Sequence, residues 1–409
     1  MSLFRQIPPT AGLPIYAKDW FLAFLNRGRS GSLEEDFKNY LGVTYASVTN
    51  SGTAAFYIIL ESLKSLSLKK NVIIPSFICP LIPLAIQRAG LKVLVCDINQ
   101  DDFNFQINQL VEMCSNNNDI LAIVAVHLAG IPLDFQAIQK ITRENKIFII
   151  EDCAQSLGAQ YQGKKTGSFG DFAFYSLCRG KGLTIYEGGV ITSKAEFAPA
   201  IESVIKRVVK TAPLAELLKI LELFGYWIFY RPLLFWFVFR LPQIFWQMQG
   251  KMEKAFIEYF EVTFPVHKVS GIRKKIGHVM FNRIEREIAK QRQIASTYIT
   301  ELKDLPGIKL ITGLKHSKPN YPYLTLVFDD ELKRRRAFNS LMNSGLGISQ
   351  IYLSAITDYD YLRNTVGAQD CPNARLIAKH HITLTTSTFL TQKEALSVIE
   401  EIKKQVRLN

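Results

Sequence analysis

Lys181 stands 29 residues after Asp152 (181 − 152), and this pair defines the chemistry to look for. Asp152 closes an apolar run, Ile147-Phe148-Ile149-Ile150, which turns at once into Glu151-Asp152-Cys153-Ala154-Gln155. Such a run reads as a buried parallel strand, and α/β folds gather their chemistry at the carboxyl ends of those strands. A lysine amine attacks carbonyls only when unprotonated, so it needs desolvation or neighbouring positive charge. Pyridoxal phosphate requires a lysine of this kind as its Schiff-base partner, and a carboxylate opposite its pyridine nitrogen that keeps the ring protonated. Lys181 and Asp152 have the residue types for those two roles. Taken alone, the pair is more simply read as a surface lysine after a glycine and an aspartate capping a turn.

A second candidate stretch is Asn50-Ser51-Gly52-Thr53-Ala54-Ala55, which opens an apolar helix expected over Phe56 to Leu63. Small residues at a helix start let backbone N–H groups approach an anion, and the helix dipole favours negative charge there. Gly52, Thr53 and Ala54 are the candidate donors of a phosphate cup, with an ordinary N-cap as the alternative.

Together these stretches resemble a known family. Asp152-Cys153-Ala154-Gln155, Leu157-Gly158-Ala159, Gly167-Ser168-Phe169-Gly170-Asp171, Ser176 with Lys181 five residues on, and Glu187-Gly188-Gly189 resemble the signature of the DegT/StrS sugar aminotransferases. Ser51-Gly52-Thr53 resembles that family's Ser-Gly-Thr motif. The likeness runs from about Gly28 to the C-terminus, apart from an inserted stretch. It implies a fold type I pyridoxal-phosphate transferase, an α/β protein. The expected architecture is a large, mostly parallel sheet domain (1–265) with helices on both faces and a smaller C-terminal α+β domain (266–409). It implies Lys181 as the Schiff-base lysine, Asp152 facing the ring nitrogen, Gln155 beside the ring's oxygen substituent and Ser176 on the phosphate. It further implies a homodimer, glutamate as amino donor, and a keto-sugar on a nucleotide or lipid carrier as acceptor, in cell-envelope or glycan biosynthesis.

The family's pattern is followed unevenly. Its cofactor-stacking aromatic, four residues after a proline, corresponds here to Cys79, with Phe77 as the other candidate for the stack. His127-Leu128-Ala129-Gly130 resembles the family's histidine turn, so His127 is expected either to touch cofactor or substrate, or to be hydrogen-bonded structure. The Asn-aromatic-Arg segment that reaches a neighbouring subunit's phosphate corresponds to Val266-His267-Lys268. Lys268 keeps the charge but not the planar fork of arginine. Dehydrating relatives carry histidine at the lysine position, so Lys181 argues for amino transfer. The alternative function is a non-catalytic, cofactor-binding or membrane-associated sensor on the same fold.

The elements that must position these residues follow from periodicity. Thr44–Thr49, Val72–Ser76, Leu91–Cys96, Ile120–Val126 and Phe172–Ser176 read as strands, alternating with helices over 81–89 and 135–144 in the manner of βαβ units. Ser32-Leu33-Glu34-Glu35 reads as a capping box, and Lys18–Leu25 as an aromatic helix. Beyond residue 264 the pattern predicts a long helix over 272–302, strands at 321–327 and 348–352, and helices at 329–343 and 391–406.

Residues 214–248 interrupt this plan. They hold 11 aromatic residues between Phe224 and Trp246, including three of the chain's four tryptophans. Charges at Glu216, Lys219, Glu222, Arg231 and Arg240, and breaks at Pro232 and Pro242, leave no run near the ~20 residues of a spanning helix. Aromatic-rich, cation-flanked helices suit an element lying on a membrane, with Lys206, Arg207, Lys210, Lys251 and Lys254 favouring anionic lipid. An oligomer interface or a buried helical pair is the alternative.

At 409 residues the chain suits two domains. Its net charge of +13 points to an anionic partner, but the basic residues are scattered, which argues against nucleic acid. Six cysteines without C-x-x-C spacing read as reduced thiols of a cytosolic protein, peripheral on the membrane if the inserted stretch binds there. Met1–Thr10 does not read as a secretory leader, and the dispersed histidines predict no metal site.

Overall fold

In the computed structural model, residues 4–25, 31–250 and 260–407 are described. Gly28, Lys251 and Lys254 lie outside them. The apolar runs form the strands expected of them, β1 (Tyr45–Thr49), β2 (Asn71–Pro75), β3 (Lys92–Cys96), β4 (Ile120–Val126), β5 (Phe148–Asp152) and β6 (Phe172–Ser176), and a further strand that the pattern did not predict follows, β7 (Gly189–Ser193). They pair into one seven-stranded sheet of order β1-β7-β6-β5-β4-β2-β3. Pairing is parallel from β3 through β6, and antiparallel where β7 joins β6 and β1. β4 is buried at every position, as a strand covered by helices on both faces must be.

The helices around this sheet are α1 (Ala17–Leu25), α2 (Leu33–Leu41), α3 (Gly52–Leu66), α4 (Leu81–Arg88), α5 (Ile107–Ser115), α6 (Phe135–Asn145) and α7 (Ala198–Val208). The capping box is formed in part, with Ser32 Oγ accepting from the Glu35 N–H at 3.2 Å. Helix α3 packs on the sheet through Phe56, whose ring centroid lies 5.0 Å from that of Phe174.

The inserted stretch is helical. It comprises α8 (Pro213–Phe229), a short turn of helix (Pro232–Phe235), a π-helical turn (Trp236–Arg240) and α9 (Leu241–Met248). Pro213 and Pro232 sit in the first turn of a helical piece, where a missing N–H costs nothing. Pro242 does not break the chain as expected: helical backbone runs on from the π-helical turn into α9 through Arg240 and Leu241. No helix among the described residues is long and apolar enough to cross a membrane.

The C-terminal part holds a three-stranded antiparallel sheet, β8 (Ile308–Ile311), β9 (Tyr323–Phe328) and β10 (His381–Thr385). Packed with it are α11 (Ile284–Leu302), α12 (Glu331–Met342), α13 (Pro372–His380) and α14 (Gln392–Arg407), while α10 (Gly271–Phe281) packs instead on α1 and α2. Ile7, far away in sequence, is buried in this small-sheet core.

Two expectations for this part fail for local reasons. The single helix over 272–302 is two, because Arg283 turns inward onto the Pro14 carbonyl and Asp19, pinning a bend between α10 and α11. No strand forms at 348–352 beyond one bridge, Ser349 to Thr383. Gly345 and Gly347 both hold positive φ just before it, and the Ile351 N–H goes to His381 Nε2 instead of a ladder.

Candidate active site

The register of the large sheet brings the chemistry to one edge. Val126 pairs with Asp152 and Asp152 with Phe174, so the carboxyl ends of β4, β5 and β6 lie level. Ser176 pairs with Gly189, and Gly189 with Thr49, which adds the end of β1 and the start of α3. Of the two close approaches here, that at Gly189 requires glycine and that at Gly52 is tight. A Cβ on Gly189 would lie 2.2 Å from the Ser51 carbonyl oxygen, and one on Gly52 would lie 3.1 Å from the Ser176 Cβ. The first turn of α3 is thereby set directly against Ser176.

Within that turn Ser51 is the N-cap, its Oγ accepting from the Ala54 N–H at 3.0 Å. Ala54 is therefore already engaged by the cap. Gly52 and Thr53 are the first-turn amides whose N–H groups have no acceptor inside the helix or on the cap side chain. The phosphate cup expected from three donors reduces to these two, with the Ser176 hydroxyl beside them.

Asp152 is 6% exposed. Burial raises its pKa to about 6, against which the Ala154 N–H (2.9 Å to Oδ1) and the charge of Lys181 pull down. The sheet and the 177–188 loop thus bring Lys181 within electrostatic reach of Asp152. A carboxylate held at such desolvation cost fits a cationic ring nitrogen as the missing partner. With two helix-start amides, a serine hydroxyl and a primary amine in the same place, these residues fit pyridoxal phosphate.

Gln155 is clamped rather than free to swing. Its Oε1 accepts from the Ala129 N–H at 2.9 Å and from the Tyr323 hydroxyl at 2.5 Å, and its carbonyl accepts from Asn320 Nδ2 at 3.1 Å. Tyr323 and Asn320 come from the C-terminal part. They are partners that sequence reasoning did not find, because nothing local marks them.

Four other expected residues lie in surroundings of their own. The His127 Nε2–H donates to Glu151 at 3.0 Å and its Nδ1 accepts from the Leu133 N–H, so neither nitrogen is left for a cofactor. Of the two readings of His127, hydrogen-bonded structure is the one this geometry matches. Phe77 is buried among Phe103, Tyr352 and His381, so it is not placed to stack on a ring at the sheet edge. Cys79 is partly buried against the same core cluster. Lys268 is exposed, on a loop tied to its own chain by Asn50, which donates to the Pro265 carbonyl and accepts from the His267 N–H.

Glu151, beside Asp152, is another residue the sequence did not single out. It is fully buried and accepts the N–H groups of Gly167, Phe169 and Gly170 as well as His127. It fastens the 166–170 turn to the end of β5. His127, Glu151 and Cys153 also form a buried trio of metal-ligand type, but these four donors already saturate the carboxylate.

The inserted helices grip the lysine loop from its far side. Glu216 on α8 pairs with the fully buried Arg273 at 2.6 Å, and Arg273 donates to the Ile185 and Glu187 carbonyls. Lys219 reaches Glu187 at 3.0 Å, and the Tyr226 hydroxyl accepts from the Gly180 N–H.

The model of the DegT/DnrJ/EryC1/StrS aminotransferase family matches residues 22–208 and 249–403, which leaves out all of the inserted helices. An uncharacterised protein of Methanocaldococcus jannaschii is 26% identical over 381 residues, 92% of this chain and 89% of its own. UDP-4-amino-4,6-dideoxy-N-acetyl-beta-L-altrosamine transaminase of Campylobacter jejuni is 23% identical over 385 residues, 91% of this chain and 90% of its own. Among solved structures, a Streptococcus pneumoniae protein assigned as a sugar aminotransferase, in its PMP form, superposes with a TM-score of 0.75 at 19% identity. The match covers 97% of this chain and 98% of that one. At that identity the likeness shows the shared fold, that of the fold type I transferases.

Proposed function

Because the chain belongs to the DegT/DnrJ/EryC1/StrS aminotransferase family, whose cofactor is pyridoxal phosphate, we propose that it moves the amino group of glutamate onto a keto-sugar. Glutamate leaves as 2-oxoglutarate and the sugar leaves as an amino sugar, in two alternating half-reactions. One observation carries this reading: a buried, proton-hungry Asp152 within charge range of Lys181, beside the amide-bearing start of α3.

When bound, the cofactor supplies an aldehyde carbon that carries the amino group and a ring that draws electrons from the reacting carbon. Asp152 holds a proton on the ring nitrogen by placing a negative charge against it. Lys181 Nζ takes a proton from the reacting carbon of the substrate and returns it on the other side of the transfer. The Gly52 and Thr53 amides and the Ser176 hydroxyl hold the phosphate, which fixes the ring in register with Lys181. Gln155, immobilised by Tyr323, Asn320 and Ala129, sets the edge of the ring that carries its oxygen substituent.

The enzyme works as a homodimer on the cytoplasmic face of a membrane, in this proposal, with Lys268 completing the partner's phosphate site. The membrane part is supported by the apolar side chains that α1 and the inserted helices leave in solvent. Phe21, Leu217, Leu221, Phe237 and Phe245 are each half-exposed or more. Trp20 packs on Phe224, which sets the exposed side of α1 against that of α8, and Phe4 packs on Trp236. Exposed apolar surface of this kind marks an interaction site.

The test is spectroscopic. Purified protein incubated with pyridoxal phosphate develops a visible absorption band, glutamate removes it, and Lys181→Ala abolishes it. Borohydride trapping labels Lys181. A colourless preparation, or a label on another side chain, overturns the assignment, while a band indifferent to glutamate favours the sensor alternative.

A further inference from the structure

The catalytic proposal makes no use of the space enclosed by the inserted helices. A cavity of about 470 Å³ lies between α8, the 235–239 segment, Pro8–Thr10 and the 178–180 turn that leads into Lys181. Its walls are largely ring and alkyl carbon, from Tyr226, Phe229, Tyr230, Phe235, Val238 and Phe239. The two tyrosines turn their hydroxyls to the backbone: Tyr226 accepts from the Gly180 N–H, while Tyr230 accepts from the Gly12 N–H and donates to the Thr10 carbonyl. At the end nearest Lys181 the wall carries Arg179, stacked 5.1 Å from the Tyr186 ring centroid, and Glu222, which is bridged to Lys219 at 2.7 Å.

Two further observations say what the space is for. Phe229 and Val238 line the cavity and are 39% and 48% exposed, and they belong to the same helical pieces as the exposed apolar side chains of the insertion, so an open cavity here borders that apolar surface. Gly225, in the middle of α8, lines the cavity too, and no atom lies within 4 Å of where its Cβ would stand. A mid-helix glycine is less favourable than alanine by about 1 kcal/mol. Here the missing side chain is what keeps the space open.

We infer that this cavity takes the hydrocarbon nearest the phosphate of a lipid-borne sugar, so that the acceptor is carried on lipid rather than on a nucleotide. This rests on the transaminase reading above. The volume falls in the range of small-molecule sites, roughly 300–1,000 Å³. A nucleotide's base and ribose need several polar partners, and outside the Arg179 and Glu222 end the lining is mostly ring and alkyl carbon. A single hydrocarbon chain needs none, and Arg179 offers a charge-assisted partner for the adjoining phosphate. The border with the apolar surface lets the remainder of the chain stay in the bilayer while the sugar reaches the Lys181 side of the turn.

The experiment uses farnesyl phosphate below its micellar concentration, titrated calorimetrically into the cofactor-loaded full-length protein, with farnesol, inorganic phosphate and UDP as separate arms. Wild type binds farnesyl phosphate more tightly than any of the other three. Gly225→Phe weakens that binding at least tenfold without lowering the melting temperature, with Gly225→Leu as the substitute if the larger residue disturbs folding. Leu218→Ser with Leu221→Ser, on the outer face of the same helix, leaves it within twofold. Equal affinity in the Gly225 variants, loss only in the leucine variants, or a preference for UDP overturns the inference. The glutamate-driven loss of the visible band is measured on the same wild-type sample. Its absence overturns the transaminase reading, and its presence without farnesyl phosphate binding overturns only the lipid acceptor.

Discussion

Asp152 makes the cofactor-free protein sensitive to pH in a direction opposite to most carboxylates. Its folded pKa of about 6 lies above the ordinary 3.8, so the folded state binds the proton more tightly than the unfolded chain. Stability then falls as pH rises from 3.8 through about 6, and the full loss is present above that window. Two pKa units correspond to about 3 kcal/mol at most. Asp152→Asn is expected to melt higher than wild type without cofactor above that window, and to converge with it at pH below the ordinary carboxylate value. In the presence of cofactor the same variant loses transamination. A cofactor-free melting curve that is flat in pH for both proteins removes the argument. Asp152 and Lys181 stood out in the sequence only through the motifs around them, since taken alone the pair reads as a turn cap and a surface lysine. Tyr323 and Asn320 were not, since they matter only after the C-terminal part docks. Phe77 and His127 stayed open for the converse reason: an aromatic or a histidine at a strand end looks the same whether it turns toward a ligand or into the core.

At the scale of elements, α8 has two working faces. Glu216, Leu223 and Tyr226 face inward, and Leu214, Leu217, Leu218 and Leu221 face out. The aromatic density of this stretch was readable as interfacial, but its charges looked like interruptions. In the fold Glu216 is an anchor: it meets Arg273, accepts from the Ser270 N–H at 2.7 Å, and so joins the insertion to α10 and the lysine loop. Removing one partner of a buried ion pair costs about 3–5 kcal/mol. Glu216→Gln is expected to lower the urea midpoint accordingly and to loosen the lysine loop. An unchanged midpoint would mean the pair carries no structural weight. Six of the seven strands of the large sheet and most helices were legible from periodicity, whereas β7, the bend at Arg283 and the missing strand near Ile351 were not. The last two depend on side chains finding partners from distant parts of the chain, Asp19 in one case and His381 in the other.

For the whole molecule, a net charge of +13 and an apolar face predict how it meets a bilayer. Vesicles containing anionic lipid should carry the protein up in a flotation gradient. Leu217→Ser with Leu221→Ser should reduce the floated fraction several-fold, since each buried leucine contributes about 1.5–3 kcal/mol. Raising the salt should weaken binding without abolishing it, because screening removes only the electrostatic share. A floated fraction indifferent to the leucine changes excludes α8 as the contact. The pairing of Ser176 with Gly189 closes residues 177–188 into a loop between neighbouring strands. The anion cup is mounted on strand ends and a helix start, whereas the amine rides on that loop, so the two are mounted independently. A change of one residue in the loop's length would relocate the amine and leave the cup untouched. The product would be a protein that still captures the vitamin's phosphate but never bonds to its aldehyde: a store for the cofactor in place of a user of it.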